Sequence, residues 1–238
     1  MKLVLLPGLD GTGDLFKPFI EVLPDDIETL VVSYPPNLKL SYLELVKFVM
    51  EQLPNEDYIL LGESFSGPVA YQIALLEPNG LKSVIFVATF LDNPSRLLLR
   101  IFNRLPASVI FALPIPDFLI KSLMLGSDAN RWTIDLFKQS INKVVAGVLS
   151  FRLQEINKLH GTKTLCKTRA IYIQATDDKL VPKKCVDGFK KMFDGIVLFQ
   201  VKGPHFILQT SPVACTEIVA SEVHFITKQI QPTSIVCG

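Results

Sequence analysis

The chain has 238 residues, 49% of them hydrophobic and 20% charged, long and apolar enough for one large domain with its own core. Its 24 basic and 23 acidic residues leave a formal net charge of +1, so no global field favours nucleic acid or an anionic membrane, and any electrostatic partner site has to be local. Four cysteines without a Cys-x-x-Cys spacing, three histidines and no His-Glu-x-x-His motif give a metal site little to stand on and point to reduced thiols in the cytoplasm; no cofactor is expected.

In chain order, the amino-terminal stretch MKLVLLPGLDG meets Pro7 and Gly8 before its apolar run could serve as the core of a signal peptide, and it reads as a strand. TLVVSYP, YILLGES, SVIFVAT, AIYIQAT and IVLFQVKG follow the same pattern. Each is a nearly continuous hydrophobic run, as expected of parallel strands covered on both faces. Helical candidates lie between them: SYLELVKFVMEQL, with Leu43, Val46 and Met50 at helical spacing, and the segment from Ser64 through Leu76. A terminal helix would show Cys215, Val219, Val223, Ile226 and Ile230 on one face. The fold class is therefore α/β, a mostly parallel sheet of about six strands flanked by helices.

The alternation stops after Thr89, and about seventy residues pass before the next strand. A structureless loop of that length is rare in a compact domain, so 91–160 is read as an inserted helical lid over a core made of 1–90 and 161–238. It would lie over the carboxyl ends of the strands, where open α/β sheets bind ligands. Its most apolar stretch, LPASVIFALPIPDFLIKSLML, is interrupted by Pro114, Pro116, Asp117 and Lys121, which argues against a membrane span. Phe102, Phe111, Phe118, Leu119, Leu123, Leu125, Trp132 and Phe137 either fasten the lid to the core or present apolar surface to a cleft, which would favour an acyl chain as substrate.

ILLGESFSGPVA, residues 59–70, carries the chemistry. A strand that turns sharply into a helix holds its turn residue in a strained conformation, and the neighbours two positions away must be small. Gly62 and Ser66 flank Ser64 in that way, giving a nucleophile elbow with Ser in place of the second Gly of G-x-S-x-G. Ser66 is read as a small packing residue, and Gly67 as room for the helix to approach the sheet. A serine hydroxyl needs a base and an orienting carboxylate. Asp178, in TDDKLVP after the fifth strand, and His205, in GPHFILQTSP after the last, follow in the order Ser, Asp, His. Asp177 competes with Asp178, and Asp92 is an outside candidate. The backbone N–H groups of Phe65 and of Leu9, in LLPGLDGTGDLF, are assigned as oxyanion donors. Gly8 and Asp10 are the candidates for substrate contact in that loop, although an Asp in a Gly-rich turn usually bonds its own backbone.

On these residues the chain resembles α/β-hydrolases of the small, lid-bearing kind that includes carboxylesterases, thioesterases and pimeloyl-carrier-protein methyl esterases. The PGLDGTG loop is also similar to that of plant phytyl ester synthases and their bacterial relatives. The resemblance covers about residues 2–90 and 168–230. Three features depart from the usual pattern: Pro7 stands where His usually precedes the glycine, Ser66 replaces Gly, and the first strand corresponds to what is normally the third. The last predicts a smaller sheet with a more exposed edge. The resemblance implies hydrolysis of carboxylic esters through an acyl-enzyme, with thioester cleavage, acyl transfer or ligand reception as alternatives on the same fold. Arg96, Arg100 and Arg104 recur at i, i+4, i+8, either as a solvated helical face or as a docking strip for an acyl carrier protein.

Overall fold

The computed structural model describes residues 1–94, 115–161 and 164–230. The six apolar runs form six strands: β1 (Lys2–Leu6), β2 (Glu28–Val31), β3 (Tyr58–Glu63), β4 (Leu81–Val87), β5 (Arg169–Ala175) and β6 (Val197–Val201). They make one sheet in the order β2-β1-β3-β4-β5-β6, and every pairing is parallel.

Alternation along each strand divides the core in two. After the short helix α1 (Lys17–Ile20) come α2 (Tyr42–Met50), α3 (Gly67–Leu75) and a later helix, Val186–Met192; these last three cover the face to which Val4, Leu6, Leu60, Val84, Phe86 and Tyr172 point. Leu3, Leu5, Ile59, Leu61, Ile85, Val87 and Ile173 point to the other face, packed by the terminal helix Pro212–Ile230. At the sheet's two edges, β2 has four residues with Glu28 exposed, and β6 is largely exposed or half-buried.

Two helix faces were placed differently from the sequence reading. Helix α2 buries Tyr42, Leu45, Val46 and Val49, while Leu43 is exposed. Apolar residues occur on both phases of this helix, and the stacking of Tyr42 on Phe65, with ring centroids 4.8 Å apart, coincides with the buried phase. A capping box fixes the helix start, with Ser41 and Glu44 bonding each other's backbone N–H. The terminal helix buries Cys215, Val219, Val223 and Ile226 as expected, but leaves Ile230 exposed.

Between β4 and β5 the described residues form three α-helices, Asp117–Ile120, Arg131–Asn142 and Ala146–Asn157, with a π-helical turn at Lys121–Leu125 after the first. Ile120, Leu125, Ile134, Leu136 and Phe137 form a cluster with Leu15, from the turn after β1, and Phe206, from the loop after β6. The segment thus rests on loops at the carboxyl ends of the strands. Of the apolar residues singled out there, Leu125 and Phe137 are buried, whereas Phe118, Leu119, Leu123 and Trp132 are exposed. Phe102, Phe111, Arg96, Arg100 and Arg104 lie outside the described residues. No helix among the described residues is long and apolar enough to cross a membrane.

The strand order also positions the site. The chain runs from β1 outward to β2 and returns to the other side of β1 as β3, so the loops leaving β1 and β3 diverge at a topological switch point and leave a crevice between them. PGLDGTG leaves β1 and the Ser64 turn leaves β3.

Candidate active site

Ser64 has φ 48°, in the left-handed region, which costs a non-glycine residue on the order of 1–3 kcal/mol and persists only where the surroundings enforce it. The neighbours do so. A Cβ on Gly62 would come within 2.9 Å of Ala70 Cβ and 3.0 Å of the Ser66 carbonyl oxygen. A Cβ on Gly67 would meet Thr89 Oγ1 at 2.0 Å. The Thr89 hydroxyl donates to the Ser64 carbonyl oxygen, while the Tyr172 hydroxyl donates to the Thr89 carbonyl at 2.7 Å and accepts from its N–H at 3.2 Å. Because Thr89 is pinned on both sides, Gly67→Ala is expected to lower stability by about 1–3 kcal/mol, read as a fall in the denaturation midpoint at unchanged denaturant slope.

Ser66 does more than pack. Its buried hydroxyl donates to the Pro7 carbonyl oxygen. Since its hydrogen is used there, the Tyr34 hydroxyl is the donor in the 2.5 Å contact with Ser66 Oγ. A glycine here would lack this tie between the elbow and the loop after β1. Burial holds the Tyr34 phenol well above its ordinary range, so it remains a donor.

Ser64 Oγ lies 2.8 Å from His205 Nε2, and His205 Nδ1 lies 2.7 Å from Asp178 Oδ2. The other Asp178 oxygen accepts the N–H groups of Leu180 and Val181, both at 2.8 Å, which orients the carboxylate. Both the Asp178 and His205 side chains are buried. Asp177 and Asp92 are exposed and outside this chain of bonds: Asp177 uses its backbone N–H on the Gly203 carbonyl at 2.9 Å, and Asp92 accepts from Asn93 N–H at 2.7 Å. His160 is exposed, and His224 bonds Asp26 at 2.9 Å on the surface.

Gly8 adjoins the serine: a Cβ there would be 3.9 Å from Ser64 Cβ. Among the described residues the Leu9 N–H makes no hydrogen bond. Phe65 lies in the first helical turn after β3, where backbone N–H groups lack intrahelical partners. Asp10 is buried, and its carboxylate accepts from its own loop, from Thr12 N at 2.9 Å and Thr12 Oγ1 at 2.6 Å. Both bonds go to one carboxylate oxygen and brace the turn. Burial raises its carboxyl above the ordinary value.

Sequence reasoning missed Thr89, Tyr34 and Arg152, and it assigned no role to Glu63. The last is fully buried beside Ser64, where burial pushes its carboxyl up to about 7. Gln209 Nε2 donates to it at 3.1 Å and to the Leu15 carbonyl at 3.0 Å. Its folded value exceeds the ordinary 4.5, so its stabilising share is fully present below about pH 4.5 and is lost as pH rises to about 7, a change of about 3 kcal/mol. Glu63→Gln is expected to flatten this slope, leaving the variant relatively more stable at about pH 8 than at about pH 5, as measured by urea unfolding at both.

Among the described residues no group of His, Cys, Asp and Glu side chains is gathered as a metal would require, and Cys166, Cys185 and Cys215 are free.

No family model matches the chain, and no curated protein does. Solved structures do. A lipase-esterase related protein from Clostridium acetobutylicum superposes with a TM-score of 0.76 at 14% identity, covering 92% of this chain and 93% of that one. The fold is that of the α/β-hydrolases. A carboxylesterase from the thaumarchaeon Nitrososphaera gargenis matches with a TM-score of 0.76 at 14% identity, over 96% of this chain and 92% of that one. RedJ, a thioesterase from the prodiginine biosynthetic pathway of Streptomyces coelicolor, matches with a TM-score of 0.66 at 17% identity, over 95% and 84%.

Proposed function

We propose that the chain is a serine hydrolase that cleaves carboxylic esters through an acyl-enzyme. The observation that carries this reading is the continuous line from Ser64 Oγ through both ring nitrogens of His205 to Asp178, on a serine held at positive φ. Ser64 Oγ attacks the acyl carbonyl carbon while His205 Nε2 takes its proton, and Asp178 holds the tautomer with hydrogen on Nδ1. The carbonyl oxygen becomes an oxyanion facing the Leu9 and Phe65 N–H groups. As the tetrahedral intermediate collapses, the leaving alkoxide takes the proton from His205 and departs as the alcohol. Water then gives a proton to His205, attacks the acyl carbon, and the acid leaves as Ser64 recovers its hydrogen.

The segment between β4 and β5 is proposed as a cover for this site, and an apolar acyl chain as its occupant. The packing of Phe137 on Phe206, the residue after His205, supports this, with ring centroids 5.6 Å apart. Thioester cleavage is the second reading, favoured by the match to a thioesterase along nearly the whole chain. It uses the same steps with a thiolate leaving group. Docking of an acyl carrier protein on Arg96, Arg100 and Arg104 would belong to that reading; these residues lie outside the described ones.

The test is steady-state hydrolysis of p-nitrophenyl acyl esters from acetate to palmitate. Turnover with an optimum at a chain longer than acetate is expected. A folded protein that binds these esters but neither turns over nor is acylated at any length contradicts the proposal and favours a ligand receptor.

A further inference from the structure

Arg152 lies on the helix Ala146–Asn157, in the segment between β4 and β5, and is almost completely buried. Its guanidinium reaches across to the loop after β1. Nη1 donates to the Leu9 carbonyl at 2.9 Å and to the Asp10 carbonyl at 2.7 Å, and Nη2 donates to the Pro35 carbonyl at 3.1 Å. Among the described residues it forms no ion pair with a carboxylate. Its Cζ is 5.7 Å from the centre of the Tyr34 ring, and a Cβ on Gly11 would come within 2.4 Å of Nη1. Taking a guanidinium out of water is costly, and here that cost is offset by backbone carbonyls. Two of them, those of Leu9 and Asp10, directly follow the Leu9 N–H along the chain.

We propose that Arg152 is a positioning residue for the reaction: by holding the Leu9 and Asp10 carbonyls from the helical segment, it fixes the turn so that Leu9 N–H faces the developing oxyanion. The inference rests on the proposed function for its catalytic consequence, but not for the order it imposes on the loop. Lysine lacks the planar fork that serves three acceptors at once.

The test compares wild type, Arg152→Lys and Arg152→Met by two readouts. The first is amide hydrogen exchange of residues 8–12 without substrate; the second is kcat and KM on the best p-nitrophenyl ester. Exchange in the loop is expected to rise about tenfold or more in Arg152→Met, with β4 and β5 unchanged. The kcat is expected to fall about 10-fold to 10²-fold, somewhat less than for outright loss of an oxyanion donor, with KM nearly constant. Arg152→Lys should fall between wild type and Arg152→Met on both. Unchanged loop exchange, exchange rising equally across the sheet, or a rise in KM alone would overturn the inference. If wild type hydrolyses no ester while loop exchange still responds, the functional reading fails and the positioning of the loop by Arg152 stands.

Discussion

Asp178→Asn is expected to lower kcat about 10⁴-fold while the protein stays folded. The argument is one of tautomers. The Leu180 and Val181 N–H groups both point at Asp178 Oδ1, so an asparagine would place its amide oxygen there and turn its NH₂ toward His205 Nδ1. That nitrogen would then have to accept, shifting the imidazole hydrogen to Nε2, where it faces Ser64 Oγ and cannot take the serine's proton. Asp177→Asn and Asp92→Asn are expected to retain turnover close to wild type, because both carboxylates are exposed and neither bonds His205. The kcat of the three variants, with near-ultraviolet circular dichroism to establish folding, decides it. An active Asp178→Asn beside a dead Asp177→Asn or Asp92→Asn would move the acid elsewhere.

The strands were the most legible part of the sequence, because a strand buried on both faces is a continuous apolar run, and Tyr58–Glu63 is buried at every position. Their order depends on which loops cross over, and no local pattern records that. The phase of α2 was misread for a related reason. Leu43, Val46 and Met50 satisfy helical spacing, but the side chains that decide which face is buried, such as Phe65, are brought close only by the sheet. Ser64, Asp178 and His205 could be found from strand ends and chain order, whereas the supports around them could not. Thr89 and Tyr34 carry no motif and act through contacts 25 and 32 residues away in the chain. Arg152 did leave a signal: it is a cation three and four residues from the buried Leu149 and Val148, on a buried helical face whose other charged residue is Glu155. A search for charges on buried helical faces would have found it.

Ser64→Ala is expected to reduce kcat by about 10⁶-fold, leaving only the acceleration that binding and the oxyanion donors provide. The substitution removes an oxygen and adds nothing, so His205 and Asp178 keep their bond. Alanine is no better suited than serine to φ 48°, so stability should change little. The decisive measurement is to mix the protein with a p-nitrophenyl ester, quench in acid within the first turnovers, and locate the acyl group by peptide mass spectrometry. Acyl mass on the Ser64 peptide of the wild type, absent from Ser64→Ala, is the result expected. Product formed equally by both proteins, or acyl mass on another residue, would contradict an acyl-enzyme at Ser64.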